Sequence, residues 1–158
     1  MTDNDVRSKQ GGARVRIPPP LVFLAAIVAG WLLPDVRVHG YHAVRIVIGV
    51  LLVAGGITVG GSAIRLFRKI GQDAKPWTPT PELLFDGSFK YTRNPMYVGM
   101  TLIALAVSAL SGHGWIALLA FAALAVVHYT AVLPEERYLI EKFGEPYAEY
   151  KSRVRRYF

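Results

Sequence analysis

Two short clusters hold residue types that can do chemistry. "TRNPMYVG", residues 92–99, sets Arg93, Asn94, Pro95 and Tyr97 against an apolar run that begins at Met96. "PEER", residues 134–137, places Glu135, Glu136 and Arg137 at the end of another apolar run. An arginine fork suits a carboxylate ligand. Paired acids and tyrosine faces suit a cation. Both clusters also fit plain helix starts, with Asn94 as N-cap, Pro95 at the first turn and the acids complementing a helix dipole. His128 lies inside the fourth apolar run, where an ionisable side chain is a site candidate by default. It precedes Glu135 and Glu136 by seven and eight residues and shares their face if the helix continues past Pro134.

Long apolar runs must position these groups. The chain has 158 residues, 53% of them hydrophobic, with a mean hydropathy of +0.32. Residues 18–33, 44–67, 96–110 and 115–133 are four expected spans. A spanning helix needs roughly 20 apolar residues, so the first and third runs are short. The first run lacks a small-x-small cleavage site and reads as a span rather than a signal peptide. "SGHG", residues 111–114, makes the last two spans antiparallel neighbours. Their far ends, carrying Arg93–Tyr97 and Glu135–Arg137, are therefore expected side by side.

The net charge of +7 is a matter of topology. The arm before the first run holds four Lys/Arg, the 65–93 segment six and the tail six. The segment 35–45 holds two and "SGHG" none. The positive-inside rule then places both termini and residues 65–93 in the cytoplasm, with no need for nucleic acid as a partner. There is no cysteine, which excludes thiol nucleophiles and Cys-ligated metals. His39 and His42 offer only a weak metal pair, and no metal is expected.

The remaining segments are read from composition. Residues 1–17 are expected to be a disordered arm and residues 18–158 a single domain. In "AGGITVGGSA", Gly56 and Gly60 stand four apart, the spacing that lets membrane helices approach closely. No Lys-Ser/Thr follows and no strand precedes, so this is not a phosphate loop. Residues 71–92, with Pro76, Pro79, Pro81 and Trp77, read as an interfacial loop or a wall over a site. After Pro134, a helix is expected over 135–143, stopped by Gly144, with Pro146 opening a second one. The expected fold class is all-α: a polytopic integral membrane protein of about four transmembrane helices plus cytoplasmic C-terminal helices.

"GSFKYTRNPMYVG" followed by "EERYLIEKFGEPYAEYKSRV" resembles the isoprenylcysteine carboxyl methyltransferase and phospholipid methyltransferase superfamily. Gly87, Phe89, Arg93, Asn94, Pro95, Tyr97 and Gly99 fill the first motif. Glu135, Glu136, Phe143, Gly144, Tyr147, Tyr150 and Val154 fill the second. The resemblance covers residues 75–158. It implies an integral-membrane methyltransferase that uses S-adenosylmethionine without a Rossmann domain. Arg93, Asn94, Pro95, Tyr97, Gly99, Glu135 and Glu136 would then line the cofactor pocket, and Tyr147 and Tyr150 would close over it. Arg93 and Glu136 would be the catalytic pair. Asn94 stands where eukaryotic members carry histidine, and an amide cannot act as a base at neutral pH.

Methyl transfer from a sulfonium is an in-line displacement in which the protein chiefly aligns the reactants. A carboxylate acceptor needs no base. An amine acceptor, such as a phospholipid head group, must first lose a proton, and Glu136 or His128 is the expected base. The acceptor is expected to be lipid-like or membrane-partitioned. The competing reading is a non-catalytic four-helix module that scaffolds a partner or binds lipid.

Overall fold

The computed structural model describes residues 17–34, 36, 41–71 and 82–157. Residues 1–16 of the expected arm over 1–17, His39, and the Pro76–Trp77–Pro79–Pro81 part of the interfacial loop lie outside these residues. Among the described residues there is no strand. The elements are α1 (Pro19–Leu32), α2 (His42–Lys69), a 3-10 turn (Gly87–Lys90), α3 (Pro95–Ser111), α4 (Gly114–Val127), a π-turn (His128–Val132), α5 (Leu133–Phe143) and α6 (Glu145–Arg153).

Prolines and glycines punctuate the chain where their backbone preferences require. Proline occupies the first turn of α1, α3 and α6, where its missing N–H removes no helical bond. Gly112 closes α3 at φ 81° and Gly144 separates α5 from α6 at φ 60°, both in the region that favours glycine. Arg45, the charge near the start of α2, completes the end of α3. Its Nε donates to the Ala109 carbonyl at 3.1 Å and its Nη2 to that of Leu110 at 3.3 Å. A cation on the last carbonyls of a helix is doubly favourable, by hydrogen bond and by dipole.

Two stretches are long and apolar enough to cross a membrane, His42–Lys69 and the continuous Gly114–Phe143. The apolar helices α1 and α3 have 14 and 17 residues. At 1.5 Å per residue they span roughly 21 and 25 Å, short of a hydrocarbon core of about 30 Å. Ile46, Val47, Val50, Leu51, Ile57 and Ile64 of α2 are exposed, as expected of a helix facing lipid.

Packing is close because small residues line the contacts. α3 lies along α2 and against α4, and α1 lies along α4. At the α2–α3 crossing, a Cβ on Gly99 would stand 2.9 Å from the Gly56 carbonyl oxygen and 3.0 Å from the Gly60 Cα. The glycine spacing in α2 therefore acts as a packing seam. Phe23, Tyr97, Ala104, Ala120, Val127 and Val132 form the buried cluster between α1, α3 and the α4–α5 helix.

Helix α4 runs into α5 through the π-turn without a break. Pro134 cannot donate to the carbonyl four residues back and its ring crowds that carbonyl. The widened turn immediately before it, where the Leu133 N–H bonds the His128 carbonyl, accommodates the ring. One extra residue in a turn rotates the downstream helix by about 100°. With one residue absorbed, Glu136 takes the place of a seventh residue and shares the His128 face, while Glu135 is turned away from it; the helix continues as the shared-face expectation required.

Candidate active site

The site forms where the starts of α3 and α5 meet, and a strap formed by the end of the chain crosses it. Adjacent residues on a helix point about 100° apart, so Glu135 and Glu136 reach different partners. The Tyr97 hydroxyl donates to Glu135 Oε1 at 2.5 Å, a short bond. Glu136 is 5% exposed and meets three cations. Arg156 Nε and Nη2 donate to its two oxygens at 2.9 and 2.8 Å. Arg93 Nη2 stands 3.3 Å from Oε1, and Lys151 Nζ 3.8 Å from Oε2. One carboxylate facing three cations leaves the cluster net positive.

The Arg93 side chain is only 8% exposed. Its Nε and Nη1 find no acceptor among the described residues. Buried donors without acceptors are costly and point to a ligand that supplies them. Two unpaired donors on one guanidinium, held beside a positive cluster, suit an anionic ligand such as a carboxylate.

Backbone bonds fix the strap, residues 154–157. The Arg93 N–H donates to the Arg155 carbonyl at 3.0 Å. The Arg156 carbonyl accepts from Thr92 Oγ1 and from Asn94 Nδ2, both at 3.0 Å. Asn94 therefore sits at the N-cap position of α3 without capping it; its amide holds the strap instead. The Tyr157 hydroxyl pairs with His128 Nδ1 at 2.8 Å. His128 thus has Tyr157, and not a glutamate, as its partner.

Helix α6 closes one side. Tyr147 is 2% exposed; burial, and then the Glu136 charge, push its hydroxyl above the ordinary tyrosine range. Burial pushes Tyr150 up to about 12 against the opposing pull of Arg93. Its neutral hydroxyl donates to the Phe89 carbonyl at 2.7 Å, tying α6 to the 3-10 turn. The two rings lie 6.0 Å apart. A cavity of about 370 Å³ is walled by Phe85, Lys90, Pro146 and Tyr150 among others; of the expected site residues only Tyr150 lines it.

Arg93, Asn94, Tyr97, Glu135 and Glu136 thus gather where α3 and α5 begin, Tyr147 lies near Glu136, and Tyr150 joins them through the Tyr147 ring. Pro95 and Gly99 contribute shape, Pro95 as the buried first turn of α3 and Gly99 as the seat of α2. Sequence reasoning missed Thr92, Lys151, Arg156 and Tyr157. The only signal for the last two was "RRYF", a basic-aromatic ending that reads equally well as a membrane anchor.

The sequence model of the phospholipid methyltransferase family matches residues 44–146. The chain belongs to this family. The match agrees with the motif resemblance and extends it into α2. Protein-S-isoprenylcysteine O-methyltransferase of Schizosaccharomyces pombe is 35% identical over 72 residues, 46% of this chain and 30% of the relative. Methanethiol S-methyltransferase 1 of Bradyrhizobium diazoefficiens is 33% identical over 87 residues, 54% of this chain and 27% of the relative. The chain thus matches less than a third of the length of either relative. Family membership and the two long apolar helices make it a membrane protein.

Proposed function

We propose that the protein is an S-adenosylmethionine-dependent methyltransferase acting at the cytoplasmic membrane face on a lipid-like acceptor. In this reading it has four spans, with both termini cytoplasmic. The observation that carries the reading is the buried Arg93 guanidinium with two donors, Nε and Nη1, without acceptors, beside Glu136 and Tyr147. These residues fit the cofactor. Arg93 would take its carboxylate, while Glu136 and the tyrosine faces would take its cation. S-adenosylmethionine supplies a methyl group already activated on sulfur. The chain's residues bind, orient and keep water from the reacting groups.

The engaged state of the titratable groups bears on the acceptor. Glu136 is held by three cations, Glu135 by Tyr97, and His128 by Tyr157. Glu136 and His128, the two expected bases, are thus both engaged, which favours an acceptor that arrives ionised, such as a carboxylate on a membrane-partitioned chain. The O-methyltransferase named among the relatives is consistent with such an acceptor.

The test is a lipid-extract assay with methyl-labelled cofactor, followed by alkali treatment of the product. A methyl ester releases its label in alkali, and this is the expected result. Alkali-stable label would mean an amine or sulfur acceptor and would overturn the carboxylate reading. No transfer to any extract component would count against the enzyme reading itself.

A further inference from the structure

The strap places an internal cation on the acid that a cationic ligand would use. Glu136 has two oxygens, and Arg156 occupies both. Arg93 and Lys151 crowd the same group. A second cation arriving at this cluster would be repelled and would find no free oxygen. Arg156, however, belongs to no helix. Its segment lies beyond the end of α6 at Arg153. It is held by Thr92, Asn94 and the Arg93 N–H through its backbone carbonyls, and by Tyr157 on His128. These few bonds can open locally without disturbing the helix packing.

We propose that Arg156 is a latch: it closes the strap over Glu136 and competes with the cationic end of the ligand for that carboxylate. Arg156 is thereby specificity-determining. It disfavours ligands that offer only a cation to Glu136. A zwitterion that engages Arg93 first can displace it. The inference rests on the methyl-donor reading above for the identity of the ligand, but not for the existence of the latch.

The test uses the full chain in detergent, with two variants. Arg156→Gln removes the competing charge. Thr92→Val removes a strap bond and leaves Glu136 and its cations in place. Tryptic cutting after Arg155, followed by mass spectrometry, reads strap opening. Calorimetry with S-adenosylmethionine and the uncharged S-adenosylhomocysteine reads competition. Both variants should be cut roughly tenfold faster, the effect of losing one bond of this class. Both should bind the sulfonium ligand more tightly, with a smaller change for the thioether. Unchanged cutting in both would overturn the latch. Faster cutting with parallel weakening of both ligands would overturn the competition and make Arg156 a wall of the site. Faster cutting with neither ligand bound by any form would uphold the latch on Glu136 and overturn the methyl-donor reading instead.

Discussion

Arg156 lies along both oxygens of Glu136, although the two residues are 20 positions apart and on opposite sides of Gly144. This pair joins the end of the chain to the start of α5, and Arg93 brings in the start of α3 on the same acid. Glu136 is therefore a structural hub; in the proposed function it is also the acid offered to a cation, and the two roles separate on substitution.

Glu136→Gln keeps the shape and removes the charge, leaving three cations uncompensated. A fully buried pair broken this way costs about 3–5 kcal/mol. The Arg156 and Lys151 side chains are 32% and 38% exposed. Solvent screening therefore reduces the expected loss to about 1–3 kcal/mol. Thermal melting in detergent measures it. The same variant should weaken S-adenosylmethionine more than S-adenosylhomocysteine. Equal weakening would leave Glu136 as a hub alone.

Gly99 tests the packing that holds α3 in place. A Cβ there would press on the Gly56 carbonyl oxygen and the Gly60 backbone, neither of which can swing away. Gly99→Ala should destabilise by about 1–3 kcal/mol through overpacking. Gly61 has open space around its Cβ direction, and Gly61→Ala should be neutral or stabilise by about 0.5–1 kcal/mol through helix propensity. The comparison is a melting midpoint of each variant. Equal effects would mean that the α2–α3 contact does not set the stability.

Much of this arrangement was legible in the residues. The four-residue "SGHG" link makes α3 and α4 neighbours, and so brings Arg93 to the Glu136 end of the hairpin. The glycine spacing in α2 announced a close contact, and Pro146 announced the start of α6. The strap was not legible, because Thr92 and Asn94 bind it through backbone carbonyls, which carry no side-chain pattern. Nor was the partner of His128. A π-turn adds a residue to the register, and helical spacing alone cannot reveal that addition. The resemblance located the motifs in order, while the two short apolar helices left the number of spans to be tested directly.

Topology is that test. Sixteen of the eighteen Lys/Arg fall on one side of a four-span arrangement. Reporter fusions at His113 and at the C-terminus should report opposite sides of the membrane. Same-side signals would mean that α4 does not cross, and the α3–α4 hairpin could not then deliver both motifs to the cytoplasmic face.

The most direct measurement compares S-adenosylmethionine binding and methyl transfer by the unaltered chain and by Arg93→Lys at matched protein level. A lysine preserves the positive charge at the interface but not the planar group whose Nε and Nη1 donors lack acceptors. The account predicts normal membrane insertion and a loss of about 1.5–3 kcal/mol, roughly ten- to a hundred-fold in affinity or rate. Near-normal binding and transfer by the lysine variant would contradict it and make Arg93 a membrane anchor.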